Sequence, residues 1–276
     1  MRRKVLVITG ANGFLARSVI SQLDRDWQLV ALIRPGTLPS SHFYAAHESV
    51  DTLVSNVSHV DVVMHLAACI PSPLEAAHQA LIPVNVNLVA ELIQAFPDAR
   101  HVLASSVAVF GVPDSLPLTM DSPLNASNAY ALSKLSAENL VRKLPQHAVI
   151  RFSSLIGCGM KVGSFIPAVV SAARAGKICL RGSGERLQNY LDINDAGLMC
   201  IRAATTSQSF MTLGIGEKSY SNNEVASILS GLTGAAIIRE GNDSSPSYVY
   251  EFNKSVQLVR ECISLKESLG KMVRQV

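Results

Sequence analysis

A tyrosine and a lysine stand four residues apart in the segment Tyr130-Ala131-Leu132-Ser133-Lys134. In a helix this spacing places both side chains on one face. A phenol with an ordinary pKa of about 10 transfers protons poorly at neutral pH, and a neighbouring ammonium group stabilises its phenolate and lowers that pKa. The pair therefore predicts proton transfer by Tyr130 with assistance from Lys134. Taken alone, the spacing favours the alternative of a half-buried tyrosine beside a surface lysine.

Two hydroxyl side chains end the apolar run Val102-Leu103-Ala104-Ser105-Ser106. At the carboxyl end of a parallel strand, a hydroxyl faces the crevice in which such sheets bind ligands. It can donate a hydrogen bond to a substrate oxygen and share the proton path of Tyr130. The alternative is that the two serines only end the strand or cap the next helix.

A glycine turn follows the first apolar run, Val5-Leu6-Val7-Ile8, in the form Thr9-Gly10-Ala11-Asn12-Gly13-Phe14-Leu15-Ala16. Gly10 permits a tight turn, Gly13 allows close approach of a pyrophosphate, and the small Ala16 lets a helix pack near the strand. Phosphates are favoured at a helix N-terminus, where N–H groups are unpaired. We predict a dinucleotide site here, against the alternative of an ordinary strand–helix turn.

The end of the second predicted strand bears on the choice of dinucleotide. A carboxylate there holds the ribose hydroxyl of NAD, whereas an arginine accommodates the 2′-phosphate of NADP. The chain reads Leu32-Ile33-Arg34-Pro35-Gly36, with Arg34 and no acid at the tip. NADP(H) is therefore favoured over NAD(H), with a solvated loop arginine as the alternative.

The elements that position these residues alternate between buried strands and helices. Fully apolar strands that alternate with helices indicate a parallel sheet covered on both faces, so we predict an α/β fold with a doubly wound Rossmann sheet. Predicted strands are Lys4–Thr9, Gln28–Ile33, Asp61–Leu66, His101–Ser105 and Ala148–Phe152. Predicted helices are Gly13–Leu23, Val84–Phe96 and Ala129–Leu144.

The second half predicts a smaller substrate-binding region. We place a cofactor domain over 1–155 and this region over 156–276, with the chain returning to the sheet around 186–215. Its predicted elements are helices Phe165–Ala175, Asp195–Ala204 and Ser221–Leu229, strands Lys177–Leu180 and Ser209–Gly214, and the loop Gly241–Tyr248.

Composition narrows the class of protein. Hydrophobic residues make up 48% of the 276 residues and charged residues 16%, which suits a large buried core. The formal net charge of +3 gives no support for nucleic-acid binding, and no run approaches the roughly 18 apolar residues of a membrane span. Five scattered cysteines without a C-x-x-C pair favour reduced thiols in a cytoplasmic protein and no metal site.

Taken in order, these motifs resemble the extended short-chain dehydrogenase/reductase family of nucleotide-sugar epimerases, dehydratases and reductases. The resemblance covers most of the chain. The matching segments are Thr9–Ala16, Asp61–Ala68, Asn85-Val86-Asn87, Ser105–Gly111, Tyr130 with Lys134, Arg151–Gly157, Gly182–Tyr190 and Asp195-Ala196.

The resemblance implies roles for individual residues. Ser106, Tyr130 and Lys134 are the implied catalytic residues, with Lys134 also on the nicotinamide ribose, and Ser106, Ser154 and Gln188 are implied to contact substrate. The implied cofactor-binding residues, with Tyr130 and Lys134, are Gly10, Asn12, Gly13, Phe14, Leu15, Arg34, Leu66, Ala67, Ala68, Asn85 and Phe152. A homodimer is expected from the same resemblance.

Several positions depart from the family pattern. Ser154 replaces an asparagine and Gln188 an arginine, which weakens the expected grip on a nucleoside diphosphate. The Gly-Asp-Leu segment that holds adenine is not recognisable, and His47-Glu48-Ser49 is the candidate for its place. Dehydratases carry two acids after the catalytic hydroxyl, but here Ser106 is followed by Val107-Ala108, so a 4,6-dehydratase is not expected.

The leading functional hypothesis is an NADPH-dependent reductase of a nucleoside-diphosphate 4-keto sugar, with Tyr130 as general acid. The alternative is a nucleotide-sugar 4-epimerase that keeps NAD bound through turnover. A reductase of non-sugar ketones and a catalytically silent cofactor-binding protein complete the alternatives.

Overall fold

A computed structural model describes residues 2–38, 45–72, 74, 76, 78–161, 163–251, 258–259 and 261–275. The chain divides into two compact units. The first comprises Met1–Gly111, Pro123–Arg151 and Ala196–Thr212, and the second comprises Val112–Ser122, Phe152–Asp195 and Leu213–Val276. Assignment of residues 1–155 to the cofactor and 156–276 to the substrate stays a prediction.

The strands and helices are numbered in chain order over the described residues. The strands are β1 Lys4–Thr9, β2 Trp27–Leu32, β3 Ala45–His47, β4 Val62–His65, β5 Arg100–Ser106, β6 His147–Phe152, β7 Ser154–Ile156, β8 Lys177–Arg181, β9 Leu187–Asp192, β10 Phe210–Gly214, β11 Ser219–Ser221 and β12 Ala236–Glu240. The helices are α1 Phe14–Gln22, α2 Val50–Asn56, α3 Leu88–Ala95, α4 Ala129–Val141, α5 Phe165–Arg174, α6 Ile193–Thr205, α7 Asn222–Thr233 and α8 Leu265–Arg274.

Seven strands form the central sheet in the order β3-β2-β1-β4-β5-β6-β10. β1 pairs in parallel with β2 and β4, β2 with β3, and β4 with β5. The order reverses between β1 and β4, and ligands of open α/β sheets bind at this kind of switch point. The predicted doubly wound α/β fold is confirmed.

Helix α4 buries a face that carries both apolar and polar side chains. Ala137 and Val141 pack on β5 and β6 through Leu103 and Val149, as expected of an amphipathic helix. The same face also buries polar side chains, which a search for apolar periodicity does not detect: Tyr130, Ser133, Lys134 and Glu138.

The helix predicted over Val84–Phe96 begins differently. Residues Pro83–Asn87 form a π-helical turn, and the α-helix α3 starts at Leu88. A π-turn adds one residue to the helical repeat and often marks a functional site. Here Asn85 is the buried residue of the turn.

The second unit has its own core. Two small sheets, in the orders β11-β9-β7 and β12-β8, accompany helices α5, α7 and α8. Ile166, Ile178, Leu229 and Leu269 are among the core residues of this unit. Ser221 caps α7 reciprocally with Glu224, as predicted.

Candidate active site

The glycine elbow joins β1 to α1 in a conformation that other residues do not fit. Gly10 has a φ of +65°, and a Cβ on it would lie 2.8 Å from the Cα of Ala67. The Gly13 N–H donates to the Gly10 carbonyl at 2.7 Å, and a Cβ on Gly13 would lie 2.9 Å from that oxygen. Phe14 opens α1 without a side-chain cap, so N–H groups of the first turn face outward for an anion. This cradle fits a dinucleotide's phosphates.

The segment after β4 is held against the elbow by Thr9. Its hydroxyl accepts hydrogen bonds from the N–H groups of Leu66 and Ala67, both at 3.0 Å. Ala67 is the residue that a side chain on Gly10 would strike. The structure thus brings together two of the predicted cofactor segments, the elbow and Leu66-Ala67-Ala68.

The edge of the site beyond β2 carries one positive and one negative side chain, Arg34 and Glu48. Arg34 is exposed, as predicted for a residue that could meet a phosphate. Glu48, just past β3, accepts a hydrogen bond from the Gly36 N–H at 3.0 Å. The segment at the tip of β2 contains no acid, because the carboxylate comes from the end of the neighbouring strand β3. Its only signal was the position of His47-Glu48-Ser49.

The remaining predicted residues of the first turn divide into buried and accessible ones. Leu15 is buried in the core, whereas Phe14 is half-buried. The Asn12 side chain donates to the Leu38 carbonyl at 2.9 Å, which ties the elbow to the loop after β2. Direct contact of these residues with a cofactor stays a prediction.

Asn85 lies in the π-turn with its amide fully engaged. Its oxygen accepts from the Cys69 N–H at 2.7 Å, and its nitrogen donates to the Cys69 carbonyl and to the Ser133 hydroxyl. The side chain therefore links the segment after β4 to the helix that carries Tyr130 and Lys134. It holds these segments in place, and its contact with a cofactor stays a prediction.

Tyr130 stands at the start of α4, just after Asn128, whose side chain caps the helix. Burial raises the pKa of Tyr130 to about 12, and a hydrogen bond with the Ser106 side chain opposes that rise. The expectation that Lys134 brings this pKa towards neutrality is wrong for the chain by itself, because desolvation outweighs the stabilisation of the phenolate. The contact with Ser106 confirms that these two side chains lie together.

Lys134 is buried one turn further along α4. Its ammonium group donates to the Ala104 carbonyl at 2.8 Å. Burial lowers its pKa to about 8, and the charge of Glu138 opposes this lowering. The lysine is therefore a core residue, which excludes the alternative of a solvated surface side chain.

The two serines at the end of β5 have separate partners. Ser106 accepts a hydrogen bond from the Ala108 N–H at 3.1 Å and keeps its contact with Tyr130. Ser105 is buried and donates to the Glu138 carboxylate at 2.5 Å. Ser106 therefore lies beside Tyr130, whereas Ser105 is bound in the interior, and a catalytic role of Ser106 stays a prediction.

The predicted residues of the second unit occupy different environments. Phe152 is buried at the end of β6, whereas Ser154 is exposed on β7. The Gln188 amide on β9 accepts from the Arg186 guanidinium at 2.5 Å and donates to the Tyr190 hydroxyl at 3.2 Å. A role of Ser154 or Gln188 towards substrate stays a prediction.

A model of the NAD dependent epimerase/dehydratase family matches residues 6–216. The chain belongs to this family. The match includes the elbow, Ser106, Tyr130 and Lys134. It confirms the resemblance found in the sequence and makes the protein an enzyme of the extended short-chain dehydrogenase/reductase type.

Individual members of the epimerase/dehydratase family are similar over nearly the whole chain. A UDP-glucose 4-epimerase of Lactobacillus helveticus is 27% identical, covering 85% of this chain and 83% of the relative. The solved structure of MoeE5 in complex with UDP-glucose and NAD is 24% identical, with a TM-score of 0.83 over 98% of this chain and 97% of that one. A UDP-N-acetylglucosamine 4-epimerase of Methanobrevibacter ruminantium M1, 18% identical, has a TM-score of 0.86 over 99% and 98%. These structural likenesses confirm the fold.

Two kinds of feature are absent from the described residues. Within them, no three His, Cys, Asp or Glu side chains converge as metal ligands. No helix in the same part of the chain combines the length and the apolar character needed to cross a membrane.

Proposed function

We propose that this member of the family is an NAD-dependent nucleotide-sugar 4-epimerase. The observation that carries the proposal is the group formed by buried Tyr130 and Lys134 with half-buried Ser106, in which the tyrosine hydroxyl contacts the serine. Epimerisation by oxidation and re-reduction of one carbon needs a proton acceptor, a cation near it and a second hydroxyl. The similarity to a UDP-glucose 4-epimerase over 85% of the chain supports the same reading.

The proton transfers fall to the chain's own residues. A bound nicotinamide supplies the hydride acceptor and donor. Tyr130 takes the proton of the reacting sugar hydroxyl and later returns it, while Ser106 hydrogen-bonds to the same oxygen. The hydrogen bond with Ser106 offsets part of the burial that raises the pKa of Tyr130. The positive charge of Lys134 stabilises the phenolate that forms when Tyr130 gives up its proton.

The absence of acids beside Ser106 separates this activity from dehydration. Elimination of water needs a general acid and a general base of its own. Ser106 is followed by Val107 and Ala108, of which neither side chain titrates. The sequence of this turn therefore supports epimerisation over 4,6-dehydration.

Glu48 supports NAD as the cofactor. Its carboxylate bonds to Gly36, two residues after Arg34. A carboxylate at this edge repels a 2′-phosphate and can accept a hydrogen bond from a ribose hydroxyl. The family and the complex of MoeE5 with UDP-glucose and NAD agree with this choice.

The second candidate is the NADPH-dependent reductase of a nucleoside-diphosphate 4-keto sugar. Exposed Arg34 favours it, because a guanidinium pairs well with a phosphate. The two candidates differ in net redox change: the reductase consumes NADPH, and the epimerase consumes neither cofactor.

The test uses the purified protein with UDP-glucose, UDP-N-acetylglucosamine and UDP-glucuronic acid in turn. We expect a 4-epimer to accumulate from at least one of them without added reductant, with NAD released on denaturation. A Tyr130→Phe variant is the control for contaminating activity. Stoichiometric NADPH oxidation with a 4-keto sugar, and no epimer from any substrate, would replace the proposal by the reductase.

The cofactor assignment is tested through the two charges at the β2 edge. Glu48→Gln removes the repulsion of a 2′-phosphate and should narrow the preference for NAD over NADP by about tenfold. Arg34→Gln is the matched neutral variant. It should widen the preference for NAD over NADP, because it removes a guanidinium that could pair with a 2′-phosphate. A wild-type protein that prefers NADP, with that preference lost in Arg34→Gln, would indicate that Arg34 binds a phosphate and that NADP is the cofactor.

A further inference from the structure

A buried carboxylate and guanidinium lie behind the catalytic residues of the first unit. The side chains of Glu138 and Arg151 are 0% and 3% exposed. Arg151 donates two hydrogen bonds to the Glu138 carboxylate, from Nε to Oε1 at 3.0 Å and from Nη2 to Oε2 at 2.8 Å. None of the proton transfers proposed above uses either group.

The pair ties three elements together. Glu138 lies on α4, Arg151 on β6, and Ser105 at the end of β5 donates to the same carboxylate at 2.5 Å. The Arg151 guanidinium lies over the Phe110 ring, 5.0 Å from its centroid. The carboxylate thus has a fixed place and orientation.

The stability of the fold alone does not explain a buried ion pair such as Glu138–Arg151. Removing two charges from water costs about as much as their attraction returns, so apolar residues of the same volume commonly serve the fold as well. The neighbour that benefits from a fixed negative charge is Lys134, one helical turn earlier on the same face and 4% exposed.

We propose that Glu138 is a positioning residue: its carboxylate, held by Ser105 and Arg151, keeps the buried Lys134 protonated and in place. This inference rests on the proposed function for its catalytic consequence, and the charge state of Lys134 can be measured without any activity.

The other titratable groups around Lys134 do not supply this negative charge. His65 of β4 is buried, and desolvation, His101 and Lys134 together lower its pKa well below the ordinary value. His65 Nε2 meets His101 Nδ1 at 2.9 Å, and His101 Nε2 meets the Phe96 carbonyl, so this pair is neutral. Arg151 is positive and Tyr130 is neutral below pH 10, because burial raises its pKa.

Glu138 opposes the desolvation of Lys134, whose pKa is about 8. Without the carboxylate, the ammonium form would lose its stabilising neighbour while the burial remained. With its pKa lowered by about one unit, about half of the lysine would be neutral at pH 7, and Tyr130 would lose part of the positive charge that stabilises its phenolate.

The experiment follows the ε-carbon resonance of Lys134 in ¹³C-lysine-labelled protein, assigned by its loss in Lys134→Met. Glu138→Gln keeps size and hydrogen-bonding capacity but removes the charge. We expect its Lys134 titration to move to lower pH by about one unit, or tenfold in the protonation equilibrium, with the alkaline limb of kcat/KM moving alongside.

Two further variants separate charge from structure. Ser105→Ala removes one hydrogen bond to the carboxylate and leaves its charge, so the Lys134 titration should stay within about 0.3 units. If Glu138→Gln does not fold, the neutral pair Glu138→Gln/Arg151→Gln takes its place, with a smaller shift in the same direction. A Lys134 titration unchanged in whichever of these charge variants folds would overturn the proposal, whatever happens to the activity.

Discussion

Helix α4 in the first unit and strand β9 in the second both bury polar side chains from family motifs, but they use them differently. On α4, burial raises the pKa of Tyr130 to about 12 and lowers that of Lys134 to about 8, so their charged forms are destabilised. On β9, the Asn189 amide hydrogen-bonds to backbone groups of Gly216 and Lys218 and accepts from the Ser153 hydroxyl, all in its own unit. Buried polar residues of a family motif can thus take part in proton transfer in one region and hold the structure together by hydrogen bonds in another.

The end of β9 and the start of α6 extend the contrast. Asp192 accepts from the Ser268 hydroxyl and from the Asn194 N–H, and Asp195 accepts from the Ile263 N–H. The bonds from Ser268 and Ile263 join separate segments of the second unit, whereas the bond from Asn194 is local. Charge-assisted hydrogen bonds to backbone and hydroxyl groups are a means of fixing loops, and they leave little capacity for a substrate.

The largest expected effect is on the chemistry of the first unit. Tyr130→Phe should lower kcat for epimerisation about a thousandfold, because the general acid–base hydroxyl is lost. Its matched control is Tyr190→Phe, which removes a buried phenol from β9. We expect Tyr190→Phe to retain kcat within about threefold, since general acid–base catalysis resides elsewhere. Equal losses in both variants would remove the contrast between the regions.

The next effect is on the stability of the second unit. Asn189→Ala deletes four hydrogen bonds, from Ser153 and Gly216 and to the Gly216 and Lys218 carbonyls. The buried groups left unpaired should lower the free energy of unfolding by about 3 kcal/mol. Urea unfolding measures it, with the exposed Asn242→Ala as control. A decrease in the free energy of unfolding of less than about 0.5 kcal/mol would show that the hydrogen bonds of Asn189 do not stabilise the second unit.

Lys134→Met should raise stability while it abolishes activity. The pKa of Lys134 is about 8 in the folded chain and ordinarily 10.5, so folding carries the full desolvation penalty below pH 8. The unfolded state binds more protons between pH 8 and 10.5, so wild-type stability rises through that window. We expect the variant to be about 2 kcal/mol more stable at pH 7, with the gain gone by about pH 10.5.

Urea unfolding at pH 7 and pH 10.5 measures this difference. The exposed Lys143→Met is the matched control and should leave both values unchanged. A Lys134→Met variant that is less stable than wild type at pH 7 would mean that its bond to the Ala104 carbonyl outweighs the burial of its charge.

The smallest effect concerns substrate affinity in the second unit. Gln188→Arg adds a guanidinium on β9 and should lower KM for a UDP-sugar about tenfold with little change in kcat, because the charge pairs with a diphosphate. The contact of Gln188 with Arg186 limits the gain through like-charge repulsion. Gln188→Met is the neutral control. An unchanged KM would place the diphosphate away from β9.

Much of the first unit could be predicted because its signals are local. The strands β1, β2, β4, β5 and β6 are short apolar runs, and each was predicted to within about two residues at either end. Glycines and the Tyr130–Lys134 spacing marked the site for the same reason: the turn and the helix face are properties of neighbours in the chain.

Local signals were weak where pairing between distant segments decides the structure. β3 has three residues, and β7, β9, β11 and β12 owe their strand character to partners far along the chain. The π-turn at Pro83–Asn87 was likewise missed, since Asn85 turns inward to reach Cys69 and Ser133.

The amino-acid sequence by itself determined the family, the α/β class and the identities of Ser106, Tyr130 and Lys134, because these follow from local pattern and spacing. Only the tertiary structure decided the electrostatics: the burial of Lys134, the raised pKa of Tyr130, the carboxylate of Glu138 behind them and that of Glu48 at the β2 edge. Charge and desolvation depend on groups brought together from distant strands, and a spacing along the chain does not contain them.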